Sequence, residues 1–298
     1  MNAAAQHWPP RMQPVPRLND PTRWRLLVDA GANGAWNMAV DEAILDRYAG
    51  PQAPDEPTLR LYGFRPAALS LGRLQEAATS HCPDYLRESG IDLVRRPTGG
   101  NAVLHDQERT YSVMGRLRQP PFDGGVLETY RRIAACLVVA LQRLNVDAVV
   151  GPGQPRETRE RRRGEAACFA LLSSHEITHA GRKLVGSAQL RRRGAFLQHG
   201  SIPLRSDAGE LARSLGAPVA PESFTDLEAA AGVPVAADQF DTALVTAFAE
   251  TLGASMSRAT LSAEEMDRAT QLYSWKYRST AWTYEGRVGT REQARGPL

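Results

Sequence analysis

The stretch 181-GRKLVGSAQLRRRGAFLQHGSIPL-204 holds two strand-like runs, 182-RKLVGSAQLRR-192 and 195-AFLQHGSIPL-204, separated only by Arg193 and Gly194. A joint that short leaves no room for a crossover helix, so the two runs are expected to pair antiparallel within one sheet. The hairpin also carries one of the two lysines in the chain. Of 36 basic residues only Lys183 and Lys276 are lysine. Codon bias explains the arginines, but it predicts arginine at 183 as well unless an ammonium is needed there. An ammonium is a compact three-donor charge that loses its proton when desolvated, whereas a guanidinium stays charged and binds as a planar fork. Chance retention and chemical need are both open readings of that one position.

Working outward, 24-WRLLVDAG-31 reads as a strand and turn, and 35-AWNMAVDEAILDRY-48 as a helix whose apolar residues recur at helical spacing. The runs 58-TLRLYGF-64, 68-ALSLG-72, 92-DLVRR-96, 101-NAVLH-105 and 110-TYSVMGRL-117 follow as strands punctuated by Gly, Pro and Asp. A long amphipathic helix fits 126–146, with Cys136 one position from its apolar stripe and therefore expected to be a buried, inert thiol. The loop 151–166 carries five arginines and leads into a strand-like run, 167-ACFALLS-173. From about residue 220 the pattern turns helical, most clearly at 238–252 and 262–277. The expected division is a flexible leader over 1–22, a catalytic domain over 23–220, a small C-terminal helical unit over 221–284 and a flexible tail over 285–298. The class is α+β, with mixed, largely antiparallel sheets packed against helices.

Bulk composition narrows the function. Hydrophobic residues make up 42% and charged residues 23%, which fits a globular protein. No apolar run reaches the roughly 18 residues that span a bilayer, and the proline-containing N-terminus lacks the apolar core of a signal peptide, so a cytoplasmic protein with no membrane partner is expected. A net charge of +3 gives no argument for nucleic acid. The three Cys include no Cys-x-x-Cys pair, and the one His-x-x-x-His spacing, 175-HEITH-179, falls among strand-like runs and not in a helix that would bring both rings to one face, so no metal is expected.

Two constellations stand out as chemistry. In 95-RRPTGGNAVLHD-106 adjacent arginines and a turn with paired glycines lie between strands, which suits close backbone approach to a ligand and equally suits a plain hairpin. Cys168 begins a strand directly after the arginine loop, and Lys183 lies fifteen residues on. A free thiol with a pKa of about 8.5 is mostly protonated at neutral pH, and neighbouring Lys or Arg charge lowers that value. The bland alternative is a small buried hydrophobe. No Gly-x-Ser-x-Gly elbow, Walker loop or Gly-x-Gly-x-x-Gly is present.

The segments 69-LSLGRLQ-75, 95-RRPTGGNAVLHDQERTYSV-113 and 181-GRKLVGSAQLRRRGAFLQHGSIPL-204 together resemble the biotin/lipoate protein ligase superfamily, and within it the lipoate ligase and octanoyltransferase branch, from about residue 24 to 284. The pair 168-CF-169 stands where LipM-type octanoyltransferases carry a cysteine. The resemblance implies that branch's catalytic fold and an octanoyltransferase of lipoate biosynthesis. Its acyl donor would be octanoyl-acyl carrier protein, and its acceptor a lysine of a lipoyl domain or of the glycine cleavage H protein. By carry-over Cys168 would hold the acyl thioester and Lys183 would lower its pKa. Arg96, Thr98, Gly99, Gly100, Ala102, His105, Gly186, Ser187, Ala188, His199 and Gly200 would bind substrate. The strand and turn at 95–104 are expected to line an apolar slot for the acyl chain, each buried methylene contributing about 0.8 kcal/mol. No cofactor is implied, and a monomer is expected. Asn101 stands where many relatives have a basic residue. The alternatives are an ATP-dependent lipoate ligase or a lipoyl amidotransferase on the same fold, and, of another class, a catalytically silent binding protein.

Overall fold

The computed structural model describes residues 22–151 and 176–288. Cys168, the run 167–173 and the arginine cluster between Arg156 and Arg163 lie outside the described residues, as do the leader except for Thr22 and the tail from 289 onward. The expected 182–204 hairpin forms: β9 (Arg182–Arg192) and β10 (Ala195–Pro203) pair antiparallel with Gly200 opposite Ser187 and His199 opposite Ala188. Arg193 and Gly194 turn with positive φ, 48° and 78°, as a two-residue turn twisted to match its strands requires.

The other strands are β1 (Thr22–Val28), β2 (Thr58–Tyr62), β3 (Ala68–Leu71), β4 (Asp92–Arg95), β5 (Val103–His105), β6 (Glu108–Arg116), β7 (Ala148–Val150), β8 (Ile177–His179) and β11 (Ala254–Arg258). Among the described residues eight strands form a mixed sheet in the order β11-β1-β2-β6-β10-β9-β8-β7, and three form a smaller one, β4-β3-β5. The pairs β11/β1 and β1/β2 are parallel, and β2/β6, β6/β10 and β10/β9 are antiparallel. The helices are α1 (Gly34–Tyr48), α2 (Pro83–Glu88), α3 (Val126–Arg143), α4 (Ala208–Leu215), α5 (Leu227–Ala231), α6 (Ala237–Leu252), α7 (Ala263–Leu272) and α8 (Thr280–Glu285). None is long and apolar enough to cross a membrane.

Successive strand residues point to opposite faces, and here both faces are covered. Leu26, Leu61, Val113 and Phe196 pack into one core with α3 and α6, while their chain neighbours Leu27, Tyr62, Met114 and Leu197 pack into another with α1 and α7. The large sheet is therefore the middle layer. The helix α1 also meets Ala68 and Val94 of the small sheet, so it is enclosed by the two sheets. This position buries its polar residues Asn37, Asp41 and Glu42 along with its apolar ones. It is capped by the Asn33 side chain, which accepts from the Trp36 N–H at 2.9 Å.

The C-terminal residues are helical, as expected, but they are not set apart as a unit over 221–284. Strand β11 hydrogen-bonds along β1, the first strand. In α6, Phe248 meets Trp24 edge-to-face at 5.3 Å, and Asp241 accepts a forked pair of hydrogen bonds from Arg109 of β6. The helical period of 238–252 reports an apolar face but cannot report its partner, and here the partner is the core of the first two hundred residues. Cys136 is buried in α3, where burial pushes its thiol well above the ordinary range; an inert core thiol is what the helix places there.

Candidate active site

A cleft of about 450 Å³ opens between the β9–β10 hairpin and the small sheet. Arg96, Gly100 and His105 line it from one side, and Gly186, Ser187, Ala188, His199 and Gly200 from the other. Two distant sequence segments thus meet across one cavity. Val103 also lines the cleft and supplies apolar wall, whereas Ala102 turns the other way into the small-sheet core with Leu69 and Leu71. This corrects the expectation for Ala102, because adjacent residues of an extended chain face opposite sides. Gly99 is exposed and does not line the cleft.

The Pro-Thr-Gly-Gly turn is held by the arginines before it. Arg96 donates to the carbonyls of Ser70 (2.9 Å), Gly99 (2.8 Å) and Asn101 (2.7 Å), and Arg95 donates to those of Gly72 (2.8 Å), Gln75 (2.7 Å), Trp282 and Thr283 (3.0 Å each). Both guanidiniums shape backbone, and Arg96 in addition presents itself to the cleft. Close packing explains the glycines. A Cβ on Gly72 would lie 1.8 Å from the Gly100 carbonyl oxygen, and Gly100 itself has φ 95°. On the opposite wall a Cβ on Gly200 would lie 2.6 Å from Tyr111 Cε1 and 2.7 Å from the Gly186 carbonyl. The Tyr111 hydroxyl is in turn 2.8 Å from Ser187 Oγ.

A buried polar network lies behind the cleft, centred on Asp41. Its carboxylate accepts from Arg60 Nη1 (2.7 Å), Tyr62 Oη (2.9 Å) and Ser112 Oγ (2.7 Å), and lies 3.2 Å from His199 Nδ1. Burial alone would raise its pKa, but the hydrogen bond from His199, the Arg60 charge and the Ser112 hydroxyl more than offset this and leave it below the ordinary range. Burial holds His199 below its usual pKa, with Arg96 and His105 adding to that effect and Asp41 opposing it. His199 Nε2 lies 2.6 Å from Thr98 Oγ, which ties the turn to the hairpin. His105 stacks on Phe64 at 4.0 Å and shares a hydrogen bond of 2.9 Å with Ser70. Asp41, Tyr62, Tyr111 and Ser112 were missed in the sequence.

Lys183 is completely buried, with Nζ 2.5 Å from Glu176 Oε1. Its carbonyl accepts from the Thr225 N–H at 2.8 Å. Lys276, the second lysine, is also buried, 2.5 Å from Glu42 and 3.9 Å from the Trp282 ring centroid. Both lysines therefore occupy enclosed, carboxylate-paired positions, where a compact ammonium fits and surface drift to arginine does not reach.

Comparison with known proteins agrees with this architecture. Octanoyltransferase LipM of Kyrpidia tusciae is 42% identical over 272 residues, covering 88% of this chain and 98% of that protein. Octanoyltransferase LipM of Symbiobacterium thermophilum is 37% identical over 276 residues, with the same coverage of both chains. A crystal structure of lipoate-protein ligase A bound with ATP superposes with a TM-score of 0.74 at 27% identity, covering 88% of this chain and 98% of that one. A bipartite lipoate protein ligase from Thermoplasma acidophilum, studied with its E2 lipoyl domain, gives 0.73 at 25% identity over 91% of this chain and 99% of that one. The family described as lipoyl protein ligase A/B catalytic domain matches residues 33–249, a span that contains both walls of the cleft and the Asp41 network behind it. On sequence and fold together, the chain belongs to the lipoyl protein ligase A/B catalytic domain family.

Proposed function

We propose that the protein is an octanoyltransferase of lipoate biosynthesis. It takes an octanoyl group from octanoyl-acyl carrier protein as a thioester on Cys168 and passes it to a lysine of a lipoyl domain or of the glycine cleavage H protein. The observation that carries the reading is the likeness to the two octanoyltransferases over 98% of their length at 37–42% identity, against 25–27% for the lipoate ligases of the same fold. The acceptor class is supported by the Thermoplasma ligase, whose partner is an E2 lipoyl domain.

The chemistry is self-consistent. A thioester donor is already activated, so exchange with a thiolate needs no ATP. Lys183, buried on the strand that lines the cleft three residues later at Gly186, would favour that thiolate by its charge. Val103, with Met38 and Ala188, would supply apolar wall for the acyl chain. Intact-mass measurement after mixing with octanoyl-acyl carrier protein in the absence of ATP tests the reading. A gain of one octanoyl group, absent in Cys168→Ser, is expected. Acylation that appears only with free octanoate or lipoate and ATP would make the protein a ligase.

A further inference from the structure

The cleft has an open rim and a closed floor. Gly100 is exposed and Gly186, Ser187 and Ala188 are half-buried, whereas Met38, Tyr62, Thr110 and Ser201, which also line it, are buried. An acyl group stays bonded through its carbonyl carbon either to the sulfur that delivers it or to the nitrogen that receives it. The carrier therefore remains at the rim, and the methyl end of the chain goes deepest. That order follows from the bonds alone.

Three of these four floor residues are polar, yet they offer a ligand little but carbon. The Tyr62 hydroxyl donates to Asp41 (2.9 Å), the Thr110 hydroxyl to Glu108 (2.7 Å) and the Ser201 hydroxyl to Glu108 as well. Neither carboxylate lines the cleft. A hydroxyl whose hydrogen is already engaged behind the wall is satisfied there, and its carbon can face an apolar chain. Met38 has no such tie, and among the described lining residues its side chain is the one long, unbranched apolar one. The backbone beneath it is fixed. Met38 lies between Asn37 and Asp41 on α1, and Arg60 donates both to the Asn37 carbonyl (3.1 Å) and to Asp41 (2.7 Å). Asn37 Nδ2 in turn donates to the Gly63 carbonyl (2.9 Å). Depth at that point is thus set by one side chain.

Resting on the proposed octanoyl transfer, we propose that Met38 sets the longest acyl chain the cleft accepts. Its side chain meets the terminal methyl of the octanoyl group, and the buried network around Asp41 holds the turn of α1 that carries it at a fixed depth. Each methylene that enters adds apolar burial until the floor is reached. A longer chain must then displace the thioether or leave its own excess outside, and overfilling a packed space is unfavourable. Shortening Met38 to alanine removes Cγ, Sδ and Cε, which leaves room for about two further methylenes. A phenylalanine ring raises the floor instead.

The test uses the full chain and a homologous series of unreactive N-methyl alkanamides, with affinity read by titration calorimetry. Wild-type affinity should rise about fourfold for each added carbon up to an acyl length of about eight, and then level off or fall. In Met38→Ala the rise should continue to about ten carbons, and in Met38→Phe it should end at about six. Loss of packing alone would weaken every probe by the same factor and leave the break where it is. An unmoved break in both variants would overturn the inference, as would a wild-type affinity that does not depend on chain length. If Met38→Ala does not fold, Met38→Phe decides alone. A break at some other length that moves in opposite directions in the two variants would keep Met38 as the stop and overturn the octanoyl assignment instead.

Discussion

Lys183 is paired with Glu176 in a space with no exposure to solvent. A guanidinium placed there must fit a planar fork into room shaped for an ammonium, and it cannot give up its proton. Lys183→Arg is expected to slow octanoyl transfer by about one to two orders of magnitude, or about 1.4–2.7 kcal/mol of barrier. Single-turnover kinetics checks this, and an unchanged rate would mean that position 183 tolerates any cation. That position 183 stands apart was legible because lysine is so rare in this chain. Asp41 was not legible, because a carboxylate on a helix ordinarily faces water. Its contact with His199 spans 158 residues, and no local pattern encodes that distance. Arg96 was legible as a site residue, but its donation to the carbonyls of its own turn was not.

At the scale of elements, most strands and the long helices follow from period and punctuation, because each repeats a burial pattern several times. The helices α2 and α5 are six and five residues long, too short to display a period, and their existence depends on what they cover. The end of α7 passes into a π-helical turn, Tyr273–Tyr277, which presents Lys276 and Tyr277 to Glu42 of α1. Burial would raise the Glu42 carboxyl, but the Lys276 ammonium and the Tyr277 hydroxyl outweigh it and hold the group below its ordinary value. A carboxylate depressed in the folded state contributes stability that is complete above its unfolded pKa of about 4.3 and is lost as pH falls through the folded value. Glu42→Gln should therefore cost about 3–5 kcal/mol at pH 7, since it leaves a buried ammonium without its partner. The difference from wild type should shrink below about pH 4. Urea unfolding at pH 7 and pH 3.5 measures both, and a difference independent of pH would show that shape, not charge, holds α7 against α1.

For the whole molecule, the division into two successive units fails because the sheet closes the chain on itself: β11 lies beside β1, and α6 covers Trp24. Helical period alone reads as a separate unit whenever the surface it covers comes from far away in sequence. Removing residues 254–288 should leave β1 as an open edge and uncover α1, including Trp36, which meets Tyr273 at 5.6 Å. That deletion is expected to yield insoluble or unfolded protein, and the full chain to melt in one calorimetric transition. Two resolved transitions would restore the two-unit division.

The enclosure of both lysines has a consequence for an enzyme that works beside reactive acyl thioesters. Amines are what such thioesters acylate, and this chain has two side-chain amines, both enclosed: Lys183 is fully buried and Lys276 is only 5% exposed. Its remaining basic residues are arginines, which stay protonated and do not act as nucleophiles at neutral pH. The folded enzyme is thus a poor substrate for its own chemistry. Prolonged incubation with an excess of octanoyl thioester should leave its side chains free of amide-linked octanoyl groups, while a lipoyl domain in the same tube is fully acylated. Peptide mass mapping would read this directly, and octanoyl amide at Lys183 or Lys276 before unfolding would show that the enclosure opens on the timescale of the reaction.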